Sequence, residues 1–139
     1  MPRVIPPVES HVDAFFWQGV RDDRLLVQRC AACSSLVHPP QPMCPTCRSL
    51  DRVTEEAPRR GTVYSWLVSQ HPSAPDDRRR LVALIELSID GRPLRFVSNL
   101  RDVEPDAIAT GMAVEVFFDD VDGVKLPQWR PVADEGGVG

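Results

Sequence analysis

The sequence predicts a mainly β chain in which a short helix and a compact cysteine-rich module precede a five-stranded barrel. Three observations predict it. All four cysteines fall in two Cys-x-x-Cys pairs, Cys30/Cys33 and Cys44/Cys47, with ten residues between the pairs. Five short β-rich runs follow Gly61, punctuated by Asp-Gly turns. A short helical pattern lies between the third and fourth of these runs. At 139 residues the chain has room for one core, or for a metal-nucleated module beside a small barrel.

In chain order, Val8, Val12, Phe15, Phe16 and Val20 recur at helical spacing, with Glu9 or Ser10 near a start and Gly19 near an end. Phe15, Phe16 and Trp17 put much apolar surface on so short an element. Core packing and contact with a partner protein are both open to them, and they are the candidate partner-binding residues. Residues 24–29 read as a strand entering the first cysteine pair and residues 36–38 as its return, while 51–60, with alternating charges and Pro58, read as a connection.

The barrel runs are 62–70, 81–89, 93–99, 113–119 and 124–130. Leu81, Ala83, Ile85, Leu87 and Ile89 share one face of the second, and Asp90-Gly91 and Asp122-Gly123 mark hairpins. Residues 103–109, with Pro105 near their start, form a short helix that stops before Gly111. Five strands with a helical insert after the third is the element order of an oligonucleotide/oligosaccharide-binding barrel, the OB-fold.

Each Cys-x-x-Cys turn places two thiolates on one side of a tight knuckle. Two knuckles facing each other build the tetrahedral sulfur cage that zinc prefers, so Cys30, Cys33, Cys44 and Cys47 are the candidate ligands of one structural zinc. Disulfide pairing suits a secreted chain, thioredoxin-like redox chemistry uses a single pair near a βαβ pattern, and iron fits the same four thiolates. His38, between the pairs, stays outside the metal set because four thiolates already close the coordination sphere. The expected organisation is a helical segment over 1–23, a zinc ribbon over 24–54, the barrel over 55–132 and a flexible tail over 133–139.

A net charge of −4 argues against general affinity for nucleic acid, though an OB-fold with aromatics keeps a single-stranded nucleic-acid module as an alternative. No apolar run approaches the roughly 18 residues of a membrane span, and the N-terminus lacks the build of a secretory signal. Cytoplasmic residence and no membrane contact are expected. His11, His38 and His71 belong to no nucleophile motif, and glycine-rich phosphate loops are absent, so no catalytic residue is expected. Tyr64 and Trp66 share a strand face under simple alternation and suit either stacking or the core.

The run Phe16-Trp17, Leu25-x-x-Gln28-Arg29-Cys30-x-x-Cys33, Pro39-Pro40, Cys44-Pro45-x-Cys47, Gly61-Thr62-Val63-Tyr64-Ser65, residues 82–87, Ser98-Asn99-Leu100 and Gly111-Met112-x-Val114 resembles one family closely. It is similar to the rubredoxin-like zinc ribbon plus OB-fold family, formerly a domain of unknown function, found beside acyl-CoA enzymes. The resemblance spans about residues 12–132. Members often carry glycine after each cysteine pair, where this chain has Ser34 and Arg48.

The resemblance implies an obligatory, non-catalytic subunit of a thiolase-fold enzyme, either an acyl-CoA thiolase or an aldolase that shortens steroid side chains. In some members the partner is a hot-dog-fold enoyl-CoA hydratase. It also implies help in holding a coenzyme A thioester. For that role the candidates are Arg78, Arg79 and Arg80, in the loop joining the first two barrel strands, with Tyr64 and Trp66; the arginines also suit a solvated charge run offset by Asp76 and Asp77.

Overall fold

A computed structural model of the chain describes residues 11–70 and 80–132. The predicted helix start at residues 8–10, His71, Asp76, Asp77, Arg78, Arg79 and the tail 133–139 lie outside the described residues. Two compact units are present: 11–58 with 118–127, and 59–70 with 80–117 and 128–132.

The first unit begins with α1 (Ala14–Arg21), whose face of Phe16, Gly19 and Val20 is buried. Its C-terminus is closed by the Asp22 N–H donating to the Gln18 and Gly19 carbonyls, after which Asp23 turns the chain with φ +59°. The strands β1 (Leu26–Cys30), β2 (Leu36–Val37) and β3 (Arg52–Glu56) form an antiparallel sheet in the order β2-β1-β3. Residues 52–56, within the stretch read as a connection, are therefore a strand. The reading missed it because β3 has almost no inward face to reveal by alternation: four of its five residues are exposed. Full backbone pairing with β1 holds it, together with the ion pairs Arg29–Glu55 at 2.8 Å and Arg24–Glu56 at 3.1 Å. Charged side chains on an edge strand also discourage pairing with other chains.

The second unit carries β4 (Arg60–Ser69), β5 (Arg80–Ile89), β6 (Arg92–Asn99), the 3₁₀ turn η1 (Pro105–Ala107), β7 (Ala113–Val121) and β8 (Val124–Pro131). The sheet order is β6-β5-β4-β7-β8, and the last residues of β7 and first residues of β8 belong to the first unit. Both predicted hairpin turns are present, and Asp90-Gly91 and Asp122-Gly123 each place two successive residues at positive φ. The alternate residues Leu81, Ala83, Ile85, Leu87 and Ile89 of β5 are buried as expected. The sheet curls until its two ends meet at a parallel bridge between Leu100 and Trp129, where the Arg101 N–H donates to the Trp129 carbonyl at 2.8 Å. A curled five-stranded sheet closed at one bridge is the OB architecture in half-barrel form.

A β-bulge overturns one expectation. Val63 pairs with Ile85 and Ser65 with Leu84, so Tyr64 is an extra residue and the alternation of β4 reverses beyond it. Tyr64 faces outward, its ring 3.8 Å from the Arg95 guanidinium, whereas Trp66 stands opposite Ala83, which is 1% exposed. The two aromatics do not share a face.

Gly61 marks a close approach of β4 to β5. A Cβ there would come within 2.6 Å of the Glu86 carbonyl oxygen and of a Leu87 methyl. Because the first of these is backbone and cannot rotate away, Gly61→Ala should destabilise the second unit by about 1–3 kcal/mol. Denaturant unfolding of the variant checks this.

Candidate metal centre

The two knuckles are built alike. In the first, the Cys30 N–H donates to the Ser35 carbonyl at 2.9 Å and the Ser34 N–H to the Cys30 carbonyl at 3.0 Å; in the second, Cys44 to Ser49 and Arg48 to Cys44 do the same, both at 2.9 Å. Each turn closes only if the residue after the second cysteine is left-handed, and Ser34 and Arg48 both have φ +66°. These are the positions where glycine would sit without steric cost.

The sulfurs of Cys30, Cys33, Cys44 and Cys47 lie within 4.8 Å of one another, with Cys30–Cys47 at 3.5 Å and Cys33–Cys44 at 3.6 Å. Tetrahedral zinc with Zn–S bonds of about 2.3 Å needs sulfurs about 3.8 Å apart, so the cage fits. The Cys33 N–H points to the Cys30 sulfur at 3.5 Å and the Thr46 N–H to the Cys44 sulfur at 3.4 Å, supplying the amide donors that a thiolate uses.

The thiols differ in how readily they ionise. Hydrogen bonding to the Ser35 hydroxyl and backbone lowers Cys33 to about 6, and hydrogen bonding to the Cys47 backbone lowers Cys44. Against the lowering pull of the Ser49 backbone, the neighbouring Cys30 and Cys33 thiols and burial push Cys47 up to about 12. A cation is what allows all four protons to leave together, since metal binding and thiol deprotonation are linked.

Gln28 positions the segment that leads to the second knuckle, a role that sequence reasoning did not assign to it. Fully buried on β1, it donates from Nε2 to the Gln41 carbonyl at 2.9 Å and accepts the Gln41 N–H on Oε1 at 3.1 Å, the pattern of a backbone ladder made by a side chain. Arg52 Nη1 supports the same oxygen at 3.4 Å and reaches the Val12 carbonyl at 3.2 Å. An uncharged polar residue inside an apolar strand was the only available signal.

His38 packs against Phe16, ring centroids 6.0 Å apart, and burial lowers its pKa to about 4, so it is neutral at pH 7. The cysteine cluster is the one group among the described residues in which three or more histidines, cysteines or carboxylates could hold a metal.

The three aromatics of α1 diverge. Phe16 is buried; Phe15 lies under the Arg52 guanidinium at 5.9 Å; Trp17 donates to Asp13 at 3.2 Å and lines a cleft of about 450 Å³ with Arg21 and Lys125. Phe15 and Trp17 are half-buried. Of the ligand candidates, Arg80 is exposed at the start of β5, and Tyr64 and Trp66 lie on opposite faces of the sheet. No helix of the described residues is long and apolar enough to cross a membrane.

Residues 17–51 match the family model described as the ChsH2 rubredoxin-like zinc ribbon domain, and residues 54–119 match the ChsH2 C-terminal OB-fold domain. The solved structure of an Ltp2-ChsH2(DUF35) aldolase contains a chain 40% identical, with a TM-score of 0.80, covering 91% of this chain and 99% of that one. A "Probable enoyl-CoA hydratase alpha subunit" of Thermomonospora curvata is 40% identical over 93% of this chain. The 3-oxo-4,17-pregnadiene-20-carboxyl-CoA hydratase alpha subunit of Mycobacterium tuberculosis is 35% identical over 90%. The present chain spans only 40% and 39% of those two subunits. A DUF35 domain-containing scaffold protein of Pyrococcus furiosus is 26% identical, with 84% of this chain and 90% of that protein aligned.

Because a left-handed non-glycine residue costs roughly 1–2 kcal/mol, and glycine returns part of that as chain entropy, Arg48→Gly should stabilise the second knuckle by about 0.5–1 kcal/mol. Competition for zinc against a chelator should show metal held a few-fold more tightly than in the unaltered chain.

Proposed function

The chain belongs to the ChsH2 (DUF35) family of zinc-ribbon and OB-fold proteins, and from that membership we propose that it is a non-catalytic subunit of an acyl-CoA-processing enzyme. The observation that carries the proposal is the closed cage: four protein sulfurs complete a tetrahedral site and leave no position for water or substrate. Zinc there supplies a rigid cross-link. Cys30, Cys33, Cys44 and Cys47 hold it, Gln28 fixes the strap between the knuckles, and the ribbon so formed is a scaffold element.

We assign the catalytic partner to the aldolases, of the thiolase-fold type that acts on steroid side-chain thioesters. What supports this reading is the likeness to a chain of a solved Ltp2-ChsH2(DUF35) aldolase, 40% identical over 91% of this chain with a TM-score of 0.80. Service to an enoyl-CoA hydratase is the second reading, favoured by the 40% identity to the Thermomonospora subunit. Such a subunit works in the cytoplasm, and Arg80, Tyr64 and Trp66, all exposed, remain the described candidates for touching the coenzyme A thioester.

The purified chain alone should turn over neither an aldol thioester nor an enoyl-CoA. Co-expressed with an Ltp2-type aldolase subunit from the same organism, it should form a stable complex and raise that subunit's soluble yield and retro-aldol rate. Turnover by the isolated chain, or failure to associate with the aldolase subunit, would overturn the assignment.

A further inference from the structure

The outer face of β4, β5 and β6 carries an apolar surface that the second unit does not use. Leu67 pairs with Val82, and Leu84 pairs with Ser65 on one side and Val97 on the other, so these side chains lie in adjacent rows of one face. Directly paired residues stand about 4.5–5.5 Å apart, which makes the four a single patch. Their alternation partners Leu81, Ala83, Ile85 and Phe96 fill the core. Val97 is 75% exposed and Leu67 55%, while Val82 and Leu84 between them are half-buried. The bulge adds Tyr64 to the same face, 46% exposed and held in place by the Arg95 guanidinium, which is fixed in turn by Glu86 at 3.1 Å. An immobilised tyrosine beside branched aliphatics, ringed by polar residues, is the composition of an interface centre.

We infer that this face docks on the catalytic subunit, and that the partner offers an apolar surface with a carboxylate opposite Arg80. The inference rests on the proposed function and deepens it by naming the surface. Charge selects the occupant. Arg95 and Glu86 neutralise each other, while Arg80, two residues along β5 from Val82, brings a positive charge to the rim. A second copy of this chain would bring its own Arg80, and among the described residues of β4, β5 and β6 the carboxylate it offers is Glu86, already paired with Arg95. A catalytic subunit with an acidic rim supplies a free one. The face is the outer side of a curled sheet and small-molecule sites are concave, so Tyr64 and Arg80 would touch a coenzyme A thioester only where the docked partner completes a cavity over them.

The test measures binding of the chain to the Ltp2-type aldolase subunit of the same organism by calorimetry, with circular dichroism and zinc content confirming that each variant is folded. Val97→Glu and Leu67→Glu should each weaken binding at least tenfold, and Arg80→Glu should weaken it by a smaller factor and reduce its salt dependence. The milder Val97→Ser covers the case in which a glutamate variant misfolds, and should shift affinity in the same direction. Val53→Glu, at an exposed position on β3, should bind as the unaltered chain does. Unchanged affinity in folded Val97→Glu and Leu67→Glu overturns the inference while leaving the subunit assignment intact. A chain dimeric by sedimentation that Val97→Glu renders monomeric also overturns it, since the face is then a self-contact. If the unaltered chain binds no catalytic subunit, the assignment itself fails and the docking surface falls with it.

Discussion

Convergence of four cysteine sulfurs within 4.8 Å is the constraint on which the first unit depends. Its strands have five, two and five residues, and the outer strand β3 is mostly exposed, so burial alone gives them little stability. Zinc bound by cysteine and histidine side chains contributes about 10–16 kcal/mol of apparent free energy in small peptides, far more than a sheet of this size gains otherwise. The local features follow from it. Ser34 and Arg48 accept left-handed backbone because the knuckles must close, and Gln28 spends a buried side chain on holding Gln41 because the strap must bring Cys44 back to Cys30. The second unit needs no such cross-link, since its core of β5, β6 and β7 side chains is continuous.

The parts legible in the sequence were those governed by short-range rules. Two Cys-x-x-Cys pairs specify a cage at any linker length that permits a return strand, and Asp-Gly at 90–91 and 122–123 specifies hairpins because both residues must adopt positive φ. Alternation in β5 was clear because one face is wholly buried. What escaped depended on pairing between distant segments. β3 has no apolar alternation because its partner β1 supplies the ladder, and the bulge at Tyr64 changes the face of every later residue in β4 without any local signature. The role of Gln28 exists only once Gln41 is folded back beside it.

These features separate the two jobs that a small subunit of this kind has to do. The ribbon is held rigid by chemistry that leaves no reactive position, and the curled sheet presents an outward apolar face that its own core does not require. Among the described residues, reactive groups are correspondingly scarce. His38 is kept neutral by burial against Phe16, and the four thiols are directed at one another. On the proposed reading, chemistry on an acyl-CoA is the work of the partner, and this chain contributes a shaped surface.

The claim that the metal site is closed is tested most directly by X-ray absorption at the zinc edge of the purified chain, together with its metal content. The account predicts one zinc per chain surrounded by four sulfurs at about 2.3 Å, with no nitrogen or oxygen in the first coordination sphere. A zinc carrying a water or histidine ligand would contradict it, because an open or mixed site could activate substrate. Metal-free protein with the β1–β3 sheet still protected from exchange would contradict it equally.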